Sequence, residues 1–276
     1  MIVIVDYGMG NLRSILKKLE MIKVKAVISS KVEDIKSAEK LIFPGVGHFG
    51  QGMKNIKEYG LLPVLNTKVL EEKTPILGVC LGMQLFSEWS EEGNVAGLGW
   101  IKGKIVRFHF DDKSQEFSDD VSQESSDDRI QEFSDDRFQK FSDDRFQKFS
   151  DDRFQKFSDD RFQKFSDDRF QEFSDDKPQV LKRMAKKLSI PHVGWNTIDI
   201  RKDSSLIKGI SRSTRFYFTH SYHFDELEEE YVIATTSYGY DFPSIIKRDN
   251  MYGTQFHPEK SHLTGLEIYK NFIDYT

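Results

Sequence analysis

The chain has 276 residues, a hydrophobic fraction of 38% and a formal net charge of −5. That length allows one large domain or two small ones, and so mild a charge argues by itself for neither a nucleic-acid nor a membrane partner. The single cysteine excludes an internal disulfide and suits a reducing compartment, so a cytoplasmic protein is expected.

The opening "MIVIV" reads as a strand, with neither the basic n-region nor the apolar length of a signal peptide or spanning helix. "DYGMGN" lacks both glycine fingerprints of a phosphate-binding loop and reads as a turn or an interface loop. Asn11 then offers a helix N-cap, and Leu12, Ile15, Leu16, Leu19 and Ile22 follow at helical spacing. Short β-rich apolar runs lie at 24–29, 40–43 and 75–79. Helical patterns fall near 51–58, at 61–72 and again after Cys80. Strands alternating with helices predict a parallel, doubly wound sheet. After Gly99 the pattern shifts. "GWIKGKIVRF", "VGWNTIDI", "RFYFTHSYHF", "YVIATTSY", "PSIIKRD" and "MYGTQF" read as successive strands, and a last helix is expected from Leu263 to Asp274. The expected class is α/β with a mixed, mostly parallel sheet and a β-rich second half.

Between these halves, residues 117–180 hold an eight-residue unit repeated eight times, and Phe133 to Lys164 reads "FSDDRFQK" four times over. Phe spacings of five and three drift around a helix, and in a strand they place the two Phe of a unit on opposite faces. The unit is also short for a solenoid repeat. Asp-Asp pairs, Ser and Gln dominate, which favours disorder. The tract reads as a disordered insertion in a surface loop, with a Phe-bearing interaction arm as the alternative. The globule is then one domain made of 1–116 and 181–276.

Gly78-Val79-Cys80-Leu81-Gly82 is G-x-C-x-G at a strand-to-helix junction, the nucleophile-elbow pattern with sulfur for oxygen. The glycines permit a tight turn, and a helix N-terminus would favour thiolate. A small buried core residue is the competing reading. A thiolate nucleophile needs a base and an orienter. "QFHPEK" supplies His257 and Glu259 around a stiffening Pro258. Acyl chemistry also needs an oxyanion hole. "FPGVGHFG" points to an amide near Val46 or Gly47, acting with that of Leu81. His48, His220, His223 and His262 lack the usual zinc spacing and read as ordinary histidines, so neither a metal nor a cofactor is expected.

"IVDYGMGNLRS", "FPGVGHFGQGM", "PILGVCLGMQLF", "EEGNVAGLGWI", "PHVGWN", "FYFTHSYH" and "YGTQFHPEKS" together resemble the class I (triad) glutamine amidotransferases. Within them the chain resembles the glutaminase subunits of imidazole glycerol phosphate synthase. The resemblance covers nearly everything outside the repeat. It implies a flavodoxin-like glutaminase domain in which Cys80 attacks the glutamine side-chain amide. His257 would move the proton, Glu259 would orient His257, and Gly45, Val46, Gly47 and Leu81 would hold the oxyanion. Gln84, Ser221 and Tyr222 would bind glutamine. A (β/α)8-barrel cyclase would receive the ammonia for histidine biosynthesis, docked near Asn11, Trp195 and Lys260. Family glutaminases are commonly idle until that partner binds. A paralogous branch feeds ammonia to sugar amidotransferases of surface polysaccharides, and "GLGW" and "EKSH" lean toward it. An inactive regulatory relative and another thiol hydrolase are further alternatives. The repeat is the main departure, standing where family members have a short connection.

Overall fold

In the computed structural model, which describes residues 1–110 and 188–276, β1 (Ile2–Val5) is buried at every position. Four consecutive aliphatics suit a central strand covered on both faces. Ile2 and Ile4 pack into one core and Val3 and Val5 into another, so alternate residues serve opposite sides of the sheet. α1 (Leu12–Met21) starts at Asn11, whose side chain accepts from the Ser14 N–H at 3.3 Å, and buries Ile15 and Leu19. β2 (Ala26–Ser29), α2 (Val32–Lys36), β3 (Lys40–Gly45), α3 (Phe49–Glu58) and α4 (Leu62–Asn66) follow. β4 (Ile76–Cys80) and α5 (Leu81–Gln84) complete the first half. α4 runs into a π-helical turn at Thr67–Glu71, so the helix expected over 61–72 is a composite.

The second half brings three short strands, β5 (Trp89–Ser90), β6 (Val95–Ala96) and β7 (Lys104–Arg107). β8 (His192–Thr197), β9 (Asp199–Ile200), β10 (Arg215–His220) and β11 (Tyr222–Asp225) come next. β12 (Val232–Tyr238), β13 (Tyr240–Arg248), β14 (Met251–Thr254) and α6 (His262–Tyr275) close the chain. "RFYFTHSYHF" is two strands rather than one. β10 pairs with β8 and β11 with β7, and Ser221 is the corner between them. "GWIKGKIVRF" yields only β7, because Trp100 and Ile101 turn into the core.

The large sheet runs β2-β1-β3-β4-β14-β13-β12-β9. Its first five strands are parallel and the rest antiparallel, a mixed, mostly parallel sheet. α3 covers one face with Phe49, Met53 and Ile56, while α1 and α6 cover the other with Ile15, Leu19, Ile268 and Phe272. Among the described residues no helix is long and apolar enough to cross a membrane. The repeat at 117–180, read as a disordered insertion, lies outside the described residues.

The register decides where chemistry can happen. Gly45 pairs with Cys80, and Thr254 with Val79. The C-terminal ends of β3, β4 and β14 therefore lie side by side, the edge at which open α/β sheets hold ligands. The spacing there is tight: a Cβ on Gly82 would overlap the Phe43 carbonyl oxygen. A backbone oxygen cannot move aside as a side chain can. Gly82→Ala is expected to cost about 3 kcal/mol in urea unfolding. Gly60→Ala, at a left-handed residue facing open space, is expected to cost about 1 kcal/mol.

Candidate active site

Cys80 ends β4 and directly precedes α5, with φ +52° and ψ −111°. No residue separates strand from helix, so the reversal falls on Cys80 itself. A non-glycine residue held there stores roughly 1–3 kcal/mol of strain. The side chain is 6% exposed, and it faces a cavity of about 240 Å³. Its sulfur lies 3.8 Å from the Thr219 carbonyl oxygen and 3.6 Å from Nε2 of Gln255. α5 has only four residues, too few for a developed macrodipole. The expectation that a helix N-terminus favours thiolate is corrected accordingly: the charge facing the sulfur comes from a side chain.

That side chain is His257, placed beyond β14 and held by its N–H on the Tyr217 carbonyl at 2.9 Å. Pro258–Lys260 forms a single 3-10 turn that returns Glu259 beneath the imidazole. Nδ1 donates to Glu259 Oε1 at 2.8 Å, and both side chains are almost wholly buried. With Nδ1–H spent on the carboxylate, the ring's other nitrogen is turned toward the thiol. Nε2 is buried and makes no full hydrogen bond among the described residues. Burial disfavours the imidazolium, but the Cys80 thiolate beside it and the Glu259 carboxylate outweigh burial and push its pKa up to about 10. Ser261 locks the turn, donating to the His257 carbonyl at 2.7 Å and accepting from the Tyr217 N–H at 3.0 Å. Tyr269 on α6 adds a buried phenol at Glu259. Burial first, and then the Glu259 charge, hold that phenol well above its usual range.

Val46, Gly47 and Leu81 line the cavity with Cys80. Gly47 adopts φ +124°, a conformation that favours glycine, and the Met9 methyl fills the space a Cβ would need. Gln84, Ser221 and Tyr222 line the same cavity. Gln84 Nε2 donates to the Tyr222 carbonyl at 2.8 Å and to Gln255 Oε1 at 3.1 Å. Gln84 is then left with its oxygen as its free polar atom. Glu92, to which no role fell from the sequence, also lines the cavity. It accepts from the Phe49 N–H at 2.8 Å, and burial raises its carboxyl above the usual range. It sits in "EEGNVAGLGWI", where only its acidity set it apart.

The residues expected at a partner interface lie toward one side. Trp195 is 36% exposed and stacks on His262 at 5.1 Å. Lys260 Nζ lies 5.6 Å from the Tyr217 ring, and that ring meets Trp195 edge-on at 6.0 Å. Asn11 caps α1, which packs against the Pro258–Lys260 turn. The other histidines hold structural places. His48 Nδ1 accepts from the Gly50 N–H at 3.1 Å at the start of α3. His192 meets His220 at 3.1 Å, and His223 meets the Tyr240 hydroxyl at 2.8 Å. Burial keeps all three neutral, lowering His192 to about 4 and moving His220 and His223 the same way.

A profile of the family "Glutamine amidotransferase class-I" matches residues 3–275. "Imidazole glycerol phosphate synthase subunit HisH 2" of Methanococcus maripaludis is 34% identical over 273 residues, covering 99% of this chain and 98% of that one. "Imidazole glycerol phosphate synthase subunit HisH 1" of the same organism is 35% identical over 279 residues, covering 99% of each. Among solved structures, "Crystal structure of glutamine amidotransferase" matches with TM-score 0.58 at 15% identity, over 99% of this chain and 98% of that one. That likeness bears on the fold.

The site makes a titration prediction. Removing the sulfur leaves burial, which lowers the His257 pKa, opposed by Glu259 alone. In Cys80→Ala the imidazole should therefore titrate lower than in the unsubstituted chain, as read by NMR of the ring protons. An unmoved titration would mean that the thiolate does not act on His257.

Proposed function

Because the chain belongs to the class-I glutamine amidotransferases, we propose that it is the glutaminase subunit of an imidazole glycerol phosphate synthase. The observation that carries the chemistry is the strained, cavity-lining Cys80 beside the buried His257–Glu259 pair. The near-complete coverage of relatives bearing that name supports the pathway.

In this reading glutamine enters side chain first. Its α-ammonium meets the Glu92 carboxylate and the free oxygen of Gln84, while Ser221 and Tyr222 hold the α-carboxylate. The Cys80 thiolate attacks the amide carbon. The carbonyl oxygen takes the negative charge and is held by backbone N–H groups of Leu81 and the Val46–Gly47 loop. His257, already protonated, gives its Nε2 proton to the leaving nitrogen, and ammonia departs. Neutral His257 then takes a proton from water, which attacks the thioester. The C–S bond breaks, glutamate leaves and the thiolate–imidazolium pair returns. Glu259 keeps the imidazole aligned throughout. Ammonia in bulk water would be protonated, so enclosed transfer to a docked (β/α)8-barrel cyclase follows, across the Asn11, Trp195 and Lys260 face of a cytoplasmic heterodimer. The domain would comprise 1–116 and 181–276, with 117–180 as an insertion.

A second reading keeps the chemistry and changes the acceptor to a sugar amidotransferase of surface polysaccharides. It is favoured by "GLGW" and by "EKSH" after His257, the segments that lean toward that branch.

Glutamate release, measured alone and with the cyclase plus its ribulosyl ligand, tests both. Strong stimulation by the cyclase is expected. Stimulation by a sugar amidotransferase instead would move the protein to the second reading. Cys80→Ser should abolish release under either, and His257→Ala should cut kcat by about 10³ or more. Glu92→Gln should raise KM for glutamine by about tenfold with a smaller effect on kcat, since it removes a charge from ground-state binding.

A further inference from the structure

We propose that Gln255 belongs to the catalytic machinery: its side-chain amide donates to the Cys80 sulfur and holds the thiolate in place. The proposal rests on the reading of Cys80 as the nucleophile. Gln255 directly follows β14, is fully buried, and anchors its backbone N–H on the Ser244 carbonyl at 2.9 Å. Its Nε2 is 3.6 Å from Sγ.

The orientation of that amide follows from its surroundings. The Tyr222 carbonyl oxygen can only accept, so the Gln84 atom 2.8 Å from it is nitrogen. The second hydrogen of that nitrogen meets Gln255 at 3.1 Å, so the Gln255 atom there is oxygen. The nitrogen of Gln255 is left facing the sulfur. Reversing Gln84 would set oxygen against the Tyr222 carbonyl, and reversing Gln255 would set nitrogen against nitrogen. Either leaves a buried polar group unpaired, which costs more than the bond itself gains. One backbone carbonyl thus fixes, through two glutamines, a donor aimed at Cys80.

The sulfur needs such a donor. The Thr219 carbonyl oxygen, 3.8 Å away, accepts from the thiol but repels the thiolate. His257 also gives up its proton in the first half of the reaction. When the second tetrahedral adduct collapses, the C–S bond breaks and its electron pair stays on sulfur. The Gln255 N–H meets that charge without transferring a proton, beside the imidazolium regenerated from water. Gln84 lines the glutamine cavity, so the group that orients Gln255 is also in reach of the substrate.

Gln255→Met keeps the length of the side chain and removes the donor. The chain has one cysteine, so in the full-length protein alkylation by iodoacetamide reports on Cys80 alone. Alkylation rate and kcat are each expected to fall about tenfold, the effect of losing one hydrogen bond to a charged group, with KM within about twofold. The ultraviolet thiolate absorbance should fall in parallel, which a packing role would not cause. Unchanged alkylation and kcat in a folded Gln255→Met protein would overturn the proposal. Should that variant not fold, Gln84→Leu removes the orienting amide, and an unchanged alkylation rate there overturns it equally. A Cys80→Ser protein that still released glutamate would sink the nucleophile reading itself. An inactive Cys80→Ser beside an unimpaired Gln255→Met would sink only this inference.

Discussion

Strand β4 passes into α5 at Cys80 with no residue between them, and the site is arranged around that junction. The left-handed backbone at Cys80 is unfavourable by itself. It persists because the flanking elements leave no alternative. The residues of β4 are buried between β3 and β14, and Gly82 is pressed onto the Phe43 carbonyl. Relaxing Cys80 would mean lifting α5 off β3, exposing Leu81, Met83 and the neighbouring Leu85 and Phe86 from the core. Burying four large apolar side chains is worth roughly 6–12 kcal/mol, well above the strain. The packing of the parallel strands therefore holds the sulfur at their C-terminal edge, and the same register delivers the 45–47 loop and His257 to that edge.

The electrostatics follow from burial. A lone thiolate or imidazolium in so enclosed a place would shed its charge. As a pair, each offsets the desolvation of the other, and the Glu259 carboxylate completes a line of alternating charges. Such a line is stable only while all its members remain. In the proposed reaction proton traffic then needs no rearrangement, since a protonated His257 would already carry the proton that departing ammonia requires. The neutral imidazoles His220 and His223 pack instead on Phe108, in an aromatic cluster from which His220 reaches the cavity that Cys80 lines. Two populations of histidine, charged at the thiol and neutral in the cluster, are separated by their partners and not by depth alone.

What was legible in the sequence was local. G-x-C-x-G and H-P-E each lie within five residues, and α1 shows its cap and its stripe within twelve. Alternating strands and helices carried the parallel half of the sheet. What escaped notice depends on distant pairing. Gln255 acquires its meaning from Gln84, 171 residues earlier, and Glu92 from an amide 43 residues away. Tyr269 looks like one more apolar position of a helix until α6 is laid on Glu259. The break at Ser221 was invisible because "RFYFTHSYHF" alternates without interruption, and only the different partners of β10 and β11 divide it. β5 and β6 have two residues each, too few for any period.

The same locality bears on how the described residues accommodate a long connection. The described chain leaves at Phe110 and resumes at Leu188, and both side chains lie against Gly239, in the turn between β12 and β13. The Tyr238 hydroxyl donates to the Ser189 carbonyl at 2.7 Å and fastens the returning segment. Phe110 also packs on Tyr238 and Tyr240 at 5.7 and 6.1 Å. Departure and return are thus pinned to one point of the framework. Closing a chain between two adjacent points costs free energy that grows only with the logarithm of its length, about 0.6 kcal/mol per doubling. Both anchors lie at the β12–β13 turn, apart from the register of β3, β4 and β14 that places Cys80.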